Sequence, residues 1–277
     1  MEHRVSKSQT ARIFSGPVRC FVVNMPSAAD RREQITRQLN SLDYPFEFFP
    51  AVDGRALSAE EIEINYDRKR ALRESTGLTL PEIGCALSHI GIYRKMVDEG
   101  IGHALILEDD ARLEPVVPAM VEKLREHYVE GQPAVVLLSH VPKYLKRDSV
   151  ALAENRVLVN PYGSCSGAYG YFITLAGARV LSRELWPVWV VSDHWLKIHE
   201  WRMVSIKAVV PDCIKPHELG EKSLIGQRGQ QEPHNRKTMG RFCRKYLHGE
   251  LWWYLFRRMR NLCFKLRVRM FDVVLTQ

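Results

Sequence analysis

The stretch HALILEDDARL, His103–Leu113, decides how the rest of this chain is read. Its apolar run, Ala104 to Leu107, is the length of a buried strand and too short for a buried helix. The run ends on three consecutive carboxylates, Glu108, Asp109 and Asp110. In open α/β sheets, ligands bind outside the carboxyl ends of the strands, so acids at this point are placed for chemistry. Adjacent anions raise one another's pKa unless a cation compensates. Hard divalent ions such as Mg²⁺ or Mn²⁺ take carboxylate oxygens together with waters and substrate phosphates. Residues i and i+2 of an extended chain share a face, so Glu108 and Asp110 are the pair that converges on one ion. The plain alternative is a set of caps for a helix starting near Pro115, or a solvated loop. By itself the motif suits a phosphohydrolase, a nucleotidyltransferase or a sugar transferase.

Outward from this strand, short apolar runs alternate with amphipathic segments. RCFVVN (Arg19–Asn24) reads as a first strand, and Ala28–Leu42 as a helix with Ile35, Leu39 and Leu42 on one side. A second strand fits Phe46–Phe49, followed by the turn AVDG at Ala51–Gly54. The charged stretch Ser58–Gly77 reads as a short helix plus a surface loop. Pro81 opens a helix to about Glu99, and Gly100–Gly102 end it before the acid-bearing strand. A helix over Pro115–Tyr128 and strands at Ala134–Leu138, Ala168–Thr174 and Met203–Val210 follow, with helices at Leu175–Ser182 and around Asp193–Glu200. Strands alternating with helices predict βαβ units and an α/β fold with a mainly parallel sheet. The expected division is a loose N-terminal arm over 1–17, one nucleotide-binding domain over 18–230 and a basic tail over 231–277.

The net charge of +8 is unevenly spread. From Arg241 onward nine Lys/Arg stand against Glu250 and Asp272, a balance of +7, which leaves +1 for everything before it. Any acidic partner is therefore expected at the tail. There, Trp252, Leu255, Phe256, Met259, Leu262, Cys263, Leu266 and Met270 recur at helical spacing between arginines and lysines. This is the composition of an amphipathic helix lying on an anionic membrane surface; a helix packed on the body is the alternative. Nucleic acid is not expected as a partner, because no binding module accompanies the charge. No stretch approaches the roughly 20 apolar residues of a membrane span. The first residues lack the apolar core of a secretory signal. Six cysteines without a C-x-x-C pair point to reduced thiols rather than a disulfide framework or a zinc site. The expected setting is cytoplasmic, with peripheral attachment to the inner face of the plasma membrane.

Three segments taken together resemble glycosyltransferase family 25, the lipooligosaccharide galactosyltransferase family. They are VVNMPSAADRREQITRQLNSLDYPFEFFPAVDG (Val22–Gly54), LTLPEIGCALSHIGIYRKMVDEGIGHALILEDDARL (Leu78–Leu113) and GAYGYFITLAGARVLSRELWPVWVVSDHW (Gly167–Trp195), with SLIGQR (Ser223–Arg228) as a weaker trailing match. The resemblance implies a GT-A-like domain and inverting transfer of a hexose, often galactose, from a UDP-sugar to a saccharide acceptor. The acceptor implied is a lipid-linked lipopolysaccharide or lipooligosaccharide core.

Within that resemblance Glu108–Asp110 matches the family's form of the D-x-D motif. Asp110 would ligate Mn²⁺ or Mg²⁺, with Glu108 assisting through water or the donor ribose. Asp193, in VVSDHW, aligns with a family acid and is the candidate general base, a helix N-cap being its plain alternative. Asn24 and Asp53 match positions near the nucleotide. Arg31 or Arg32 is expected to reach the pyrophosphate, solvated helix charges being the alternative. Ser88 and His89 fall mid-helix as donor contacts or as satisfied core residues. Glu82 reads as a first-turn acid. His217, in KPHELG, departs from the pattern, which carries glutamine there, and is a candidate third metal ligand. Tyr144, Tyr162, Trp186 and Trp189 are equally candidates for sugar stacking and for core. The competing class is a non-catalytic saccharide- or membrane-binding protein that retains the fold.

Overall fold

The structure is a computed structural model that describes residues 16–74, 77–153, 155–163, 165–217, 259 and 273–276. In chain order the first half comprises β1 (Arg19–Asn24), α1 (Ala29–Ser41), β2 (Glu47–Pro50), α2 (Ala59–Asn65), α3 (Arg68–Glu74), α4 (Leu80–Asp98) and β3 (His103–Glu108). Next come β4 (Ala111–Leu113), α5 (Val117–His127), β5 (Ala134–Leu137), β6 (Lys143–Ala153), β7 (Arg156–Pro161) and β8 (Gly170–Thr174). Then follow α6 (Leu175–Glu184), α7 (Trp195–Glu200), β9 (Ser205–Val210), β10 (Ile214–Pro216) and β11 (Val273–Leu275).

Among the described residues nine strands form one sheet in the order β11-β6-β7-β9-β5-β8-β3-β1-β2, and β10 and β4 form a separate antiparallel pair. The expectation of a mainly parallel sheet is corrected: β1–β2, β1–β3 and β5–β9 are parallel, while the ladders of β3–β8, β5–β8, β7–β9, β6–β7 and β11–β6 are antiparallel. The departure has two sources. The β6–β7 hairpin arises from KYLKRDSVALA, whose side chains are mostly exposed; its strand character comes from backbone pairing, which leaves no apolar pattern to read. It returns the chain so that β8 enters between β3 and β5 running against both. The inserted strand nevertheless keeps β1, β2, β3, β5 and β9 pointing one way, so their carboxyl ends share one edge.

Two apolar layers cover the sheet. Ala104 and Ile106 face a layer with α4, α6 and α7, including Ile90, Tyr93, Met96, Leu181 and Trp195. Leu105 and Leu107 face the other, with Ile35 and Leu39 of α1 and Met120, Val121 and Leu124 of α5. All four β3 residues are fully buried, each larger side chain contributing about 1.5–3 kcal/mol. The amphipathic helix expected over Leu251–Met270 lies, Met259 apart, outside the described residues. Among the described residues no helix is long and apolar enough to cross a membrane.

Candidate active site

The pleat of β3 sorts the three acids. Its alternation carries Glu108 to the α4 side and Asp109 to the α1 side. Glu108 Oε1 accordingly lies 3.5 Å from His89 Nε2 on α4. Asp109 is buried on the other side, accepting from Asn24 Nδ2 at 2.8 Å and pairing with Arg31 at 3.1 Å. Asp110 follows in the turn, with Arg31 Nη1 at 3.5 Å from its Oδ2, while its Oδ1 is buried with no hydrogen-bond partner among the described residues. Burial first, then the charge of Glu108, pushes the Asp110 carboxyl up to about 7, with Arg31 pulling the other way. Gln38 of α1 ties down the chain beyond, donating to Ala111 O and accepting from Leu113 N–H, both at 3.0 Å. Asn24 and Arg31 thus brace the acid turn. Arg32 stacks on Phe48, 3.7 Å from the ring centre, and donates to Asn24 Oδ1.

On the other side α4 is set by a capping box between Thr79 and Glu82, with Pro81 in its first turn. The AVDG turn crosses this helix backbone to backbone. A Cβ on Gly84 would lie 2.4 Å from Val52 O, and one on Gly54 1.7 Å from Leu80 O, so only glycine permits the crossing. Ser88 stitches it, accepting from Val52 N–H at 2.9 Å and donating to Gly84 O at 2.8 Å. Asp53 Oδ1 accepts from Arg55 N–H at 2.9 Å, closing its own turn at the sheet edge. His89 is buried, with Nδ1 2.7 Å from Tyr171 Oη, which is 2.7 Å from Tyr93 Oη.

Asp193 comes to the same place from far along the chain. The N-cap of α7 is His194, with no side-chain cap, so Asp193 does not take the helix-cap role. Its Oδ2 accepts from Gly167 N–H at 3.0 Å, and Trp195 Nε1 donates to Gly167 O at 3.1 Å. Gly167 has φ of +99°, and a Cβ there would meet the Tyr169 ring at 2.7 Å. The Tyr169 hydroxyl is pushed up by burial and then by Glu108, Asp110 and Asp193 together. The Cys85 thiol, 3.2 Å from Ser192 Oγ, is raised by burial first, then by Glu108, with Asp193 and Asp110 adding to it. Glu108, Asp110 and Asp193 therefore lie near enough to Cys85 and Tyr169 to raise both groups. His217 N–H donates to Asp110 O at 2.8 Å where β10 runs beside β4, placing that residue next to the acid turn.

Of the aromatic candidates, Trp189 is core beneath Arg70, whereas Trp186 is exposed and bonded to Asn65. Tyr144 lines a cavity of about 260 Å³ with His140 and Asp212, farther along the same sheet edge.

The acid set supplies hard oxygen donors, and the orphaned Asp110 Oδ1 is a buried acceptor that a cation would satisfy. Glu108 and Asp110 thus offer the donor chemistry that a hard divalent ion takes.

Comparison with known proteins bears on the chain as a whole. The model of glycosyltransferase family 25 (LPS biosynthesis protein) matches residues 18–196. A putative glycosyltransferase of Haemophilus influenzae is 28% identical over 230 residues, 79% of each chain. A glycosyltransferase 25 family member of Drosophila melanogaster is 32% identical over 59% of this chain and 27% of its own length. Procollagen galactosyltransferase 2 of Homo sapiens is 28% identical over 58% of this chain and 26% of its own. The chain thus spans about a quarter of the length of these animal relatives. A solved glycosyltransferase involved in the glycosylation of the major capsid of PBCV-1 is similar at a TM-score of 0.32 and 10% identity, covering 67% of this chain and 76% of that one; so distant a likeness carries no argument. With 18–196 matched, well over half its length, the chain belongs to glycosyltransferase family 25.

Proposed function

We propose that this protein is an inverting, metal-dependent hexosyltransferase with a GT-A-like nucleotide site. It moves a hexose, galactose by preference, from a UDP-sugar to a lipid-linked lipopolysaccharide or lipooligosaccharide core saccharide. The observation that carries the reading is that Glu108 and Asp110 at the strand end and the remote Asp193 all lie near enough to Cys85 and Tyr169 to raise both groups, with Asp110 Oδ1 buried and unbonded among the described residues. A non-catalytic saccharide binder has no need of two acid groups from distant parts of the chain in one place.

In this reading Glu108 and Asp110 would hold Mn²⁺ or Mg²⁺, with His217 beside them as a third candidate. When bound, such an ion supplies Lewis-acid stabilisation of the departing diphosphate. Arg31 and Asn24 line the donor side and hold Asp109, and through it the acid turn, in register. Inverting transfer also needs a base on the side of the sugar opposite the leaving group. Asp193 takes the acceptor hydroxyl's proton, with the Gly167 N–H orienting its carboxylate. Ser88 and His89 shape the donor side from within, one through the AVDG turn bearing Asp53 and the other behind Glu108. The basic run after Arg241 supports peripheral attachment to the inner, anionic face of the plasma membrane, where a lipid-linked acceptor would lie.

The test is calorimetry of UDP with Mn²⁺. Asp110→Asn is expected to abolish Mn²⁺-dependent UDP binding with the circular dichroism unchanged. Undiminished affinity would remove Asp110 from the metal role and return the site to the saccharide-binding alternative.

A further inference from the structure

The Glu108 side of the site also holds a thiol and an imidazole nitrogen that the transfer chemistry leaves unused. Cys85 and His89 stand one helical turn apart on α4 and face Glu108 at the end of β3; one ligand atom from each lies within 4.8 Å of the others. Three features distinguish this set from a chance cluster. His89 is 1% exposed, and its Nε2 has no hydrogen-bond partner among the described residues, with Glu108 Oε1 at 3.5 Å. Burying an imidazole nitrogen unbonded is costly, so an atom placed there asks for a ligand. Its other nitrogen, Nδ1, is held by Tyr171 Oη at 2.7 Å, and Tyr171 is held in turn by Tyr93. Metal-binding histidines are oriented by this kind of outer hydrogen bond, which fixes the tautomer and aims the free nitrogen at the ion.

The donor types select the ion. A thiolate, an imidazole and one carboxylate are the ligands of zinc, whereas Mg²⁺ and Ca²⁺ demand oxygen. We propose that Cys85, His89 and Glu108 form a three-ligand site for a divalent cation of the zinc class, sharing only Glu108 with the hard-ion set on Glu108 and Asp110.

The geometry is close to what such an ion requires. With metal–ligand distances of about 2.0–2.3 Å, a tetrahedral site separates its donors by roughly 3.4–3.6 Å. The His89–Glu108 edge already has that length. A turn of the Cys85 side chain from its Ser192 contact closes the remaining edges, since every pair is within 4.8 Å. Binding releases the Cys85 proton to solvent, the thiolate being the ligand. Three protein ligands leave the fourth position open, the arrangement of a reactive rather than a purely structural zinc site. The site does not depend on the sugar-transfer reading, although both use Glu108.

Cobalt(II) tests it without any activity assay. Titrating the full chain, reduced and metal-stripped, with Co²⁺ alone is expected to produce thiolate-to-cobalt charge transfer in the near ultraviolet. Zn²⁺ should abolish that band and excess Mg²⁺ should not. Cys85→Ser should lose the band, while Cys165→Ser, at a buried thiol outside the cluster, should keep it. Tyr171→Phe should keep the band but weaken Co²⁺ binding by about 10-fold, the usual effect of losing an outer-shell partner. Absence of the band in the wild-type chain, or its persistence in Cys85→Ser, would overturn the proposal. His89→Gln provides a second variant should Cys85→Ser fold poorly, and unchanged Co²⁺ affinity there would overturn it equally. Loss of Mn²⁺-dependent UDP binding in Asp110→Asn with the cobalt band retained would separate this site from the hard-ion site.

Discussion

Arg31→Met isolates what holds the acid turn together. Among the described residues Arg31 is the cation within reach of both Asp109, at 3.1 Å, and Asp110, at 3.5 Å, with the three side chains 19%, 9% and 15% exposed. Stripping one partner from a fully buried pair costs about 3–5 kcal/mol; with Arg31 partly open to water, about 2 kcal/mol is expected at pH 6. The cost should then depend on pH in a definite direction. The Asp110 carboxyl is raised from 3.8 to about 7 in the folded protein, so the native state holds a proton that the unfolded chain releases. Its contribution to stability is therefore present below pH 3.8 and is lost as pH rises toward 7. Because Arg31 lowers that value, the variant must hold its proton to still higher pH. Below pH 7 both proteins carry Asp110 neutral, and the deficit comes from Asp109. Above it the wild type ionises with help from Arg31 that the variant lacks, and the deficit grows by up to about 1.4 kcal/mol per pH unit. Urea unfolding in EDTA at pH 6 and pH 9 measures this, with the difference expected to rise from about 2 toward about 4 kcal/mol. A deficit that is absent, or equal at the two pH values, would refute the assignment of Arg31 as the counter-ion and favour a role at the pyrophosphate.

Asp193→Asn is expected to lower transfer kcat by about 10²- to 10⁴-fold with UDP-sugar affinity nearly unchanged. Loss of donor binding in that variant would move the residue to the nucleotide side. Gly84→Ala places a methyl 2.4 Å from Val52 O and 2.5 Å from Gly54 N, both backbone atoms that cannot swing aside. It should cost about 2–3 kcal/mol and lower Tm by several degrees; melting with the wild type would show that the AVDG crossing is not tight. The full chain should sediment with anionic vesicles at low salt and be released as salt rises, and Gln at Arg257, Arg258 and Arg260 should weaken this by an order of magnitude or more. Indifference to such vesicles would end the membrane reading.

Local pattern was enough for the elements that bury an apolar face. Arg19–Asn24 forms a strand with the expected limits, and the helix opened by Pro81 and the strand before the acids lie within a residue or two of where periodicity puts them. The placing of Glu108–Asp110 at a strand's carboxyl end was equally legible, since it follows from a short apolar run stopping at charge. The β6–β7 hairpin was not, because its order comes from backbone pairing at a largely exposed surface, where side-chain hydropathy is silent. Nor was the antiparallel entry of β8, whose residues are buried throughout and would suit either direction.

The sequence by itself determined which residues carry acid, thiol and imidazole groups, and that the acids follow a buried strand, because a short apolar run stops there at charge. Only the tertiary structure decided their partners. Asp109 went to Asn24 and Arg31 across the β1–α1 side, His89 was aimed at Glu108 by a tyrosine on β8, and Asp193 was drawn in by the backbone of Gly167. Those pairings join segments tens of residues apart, and no local preference encodes them. They follow from strand order and from burial, which leaves a polar atom inside the protein no water to bond and so selects the arrangement that gives it a partner.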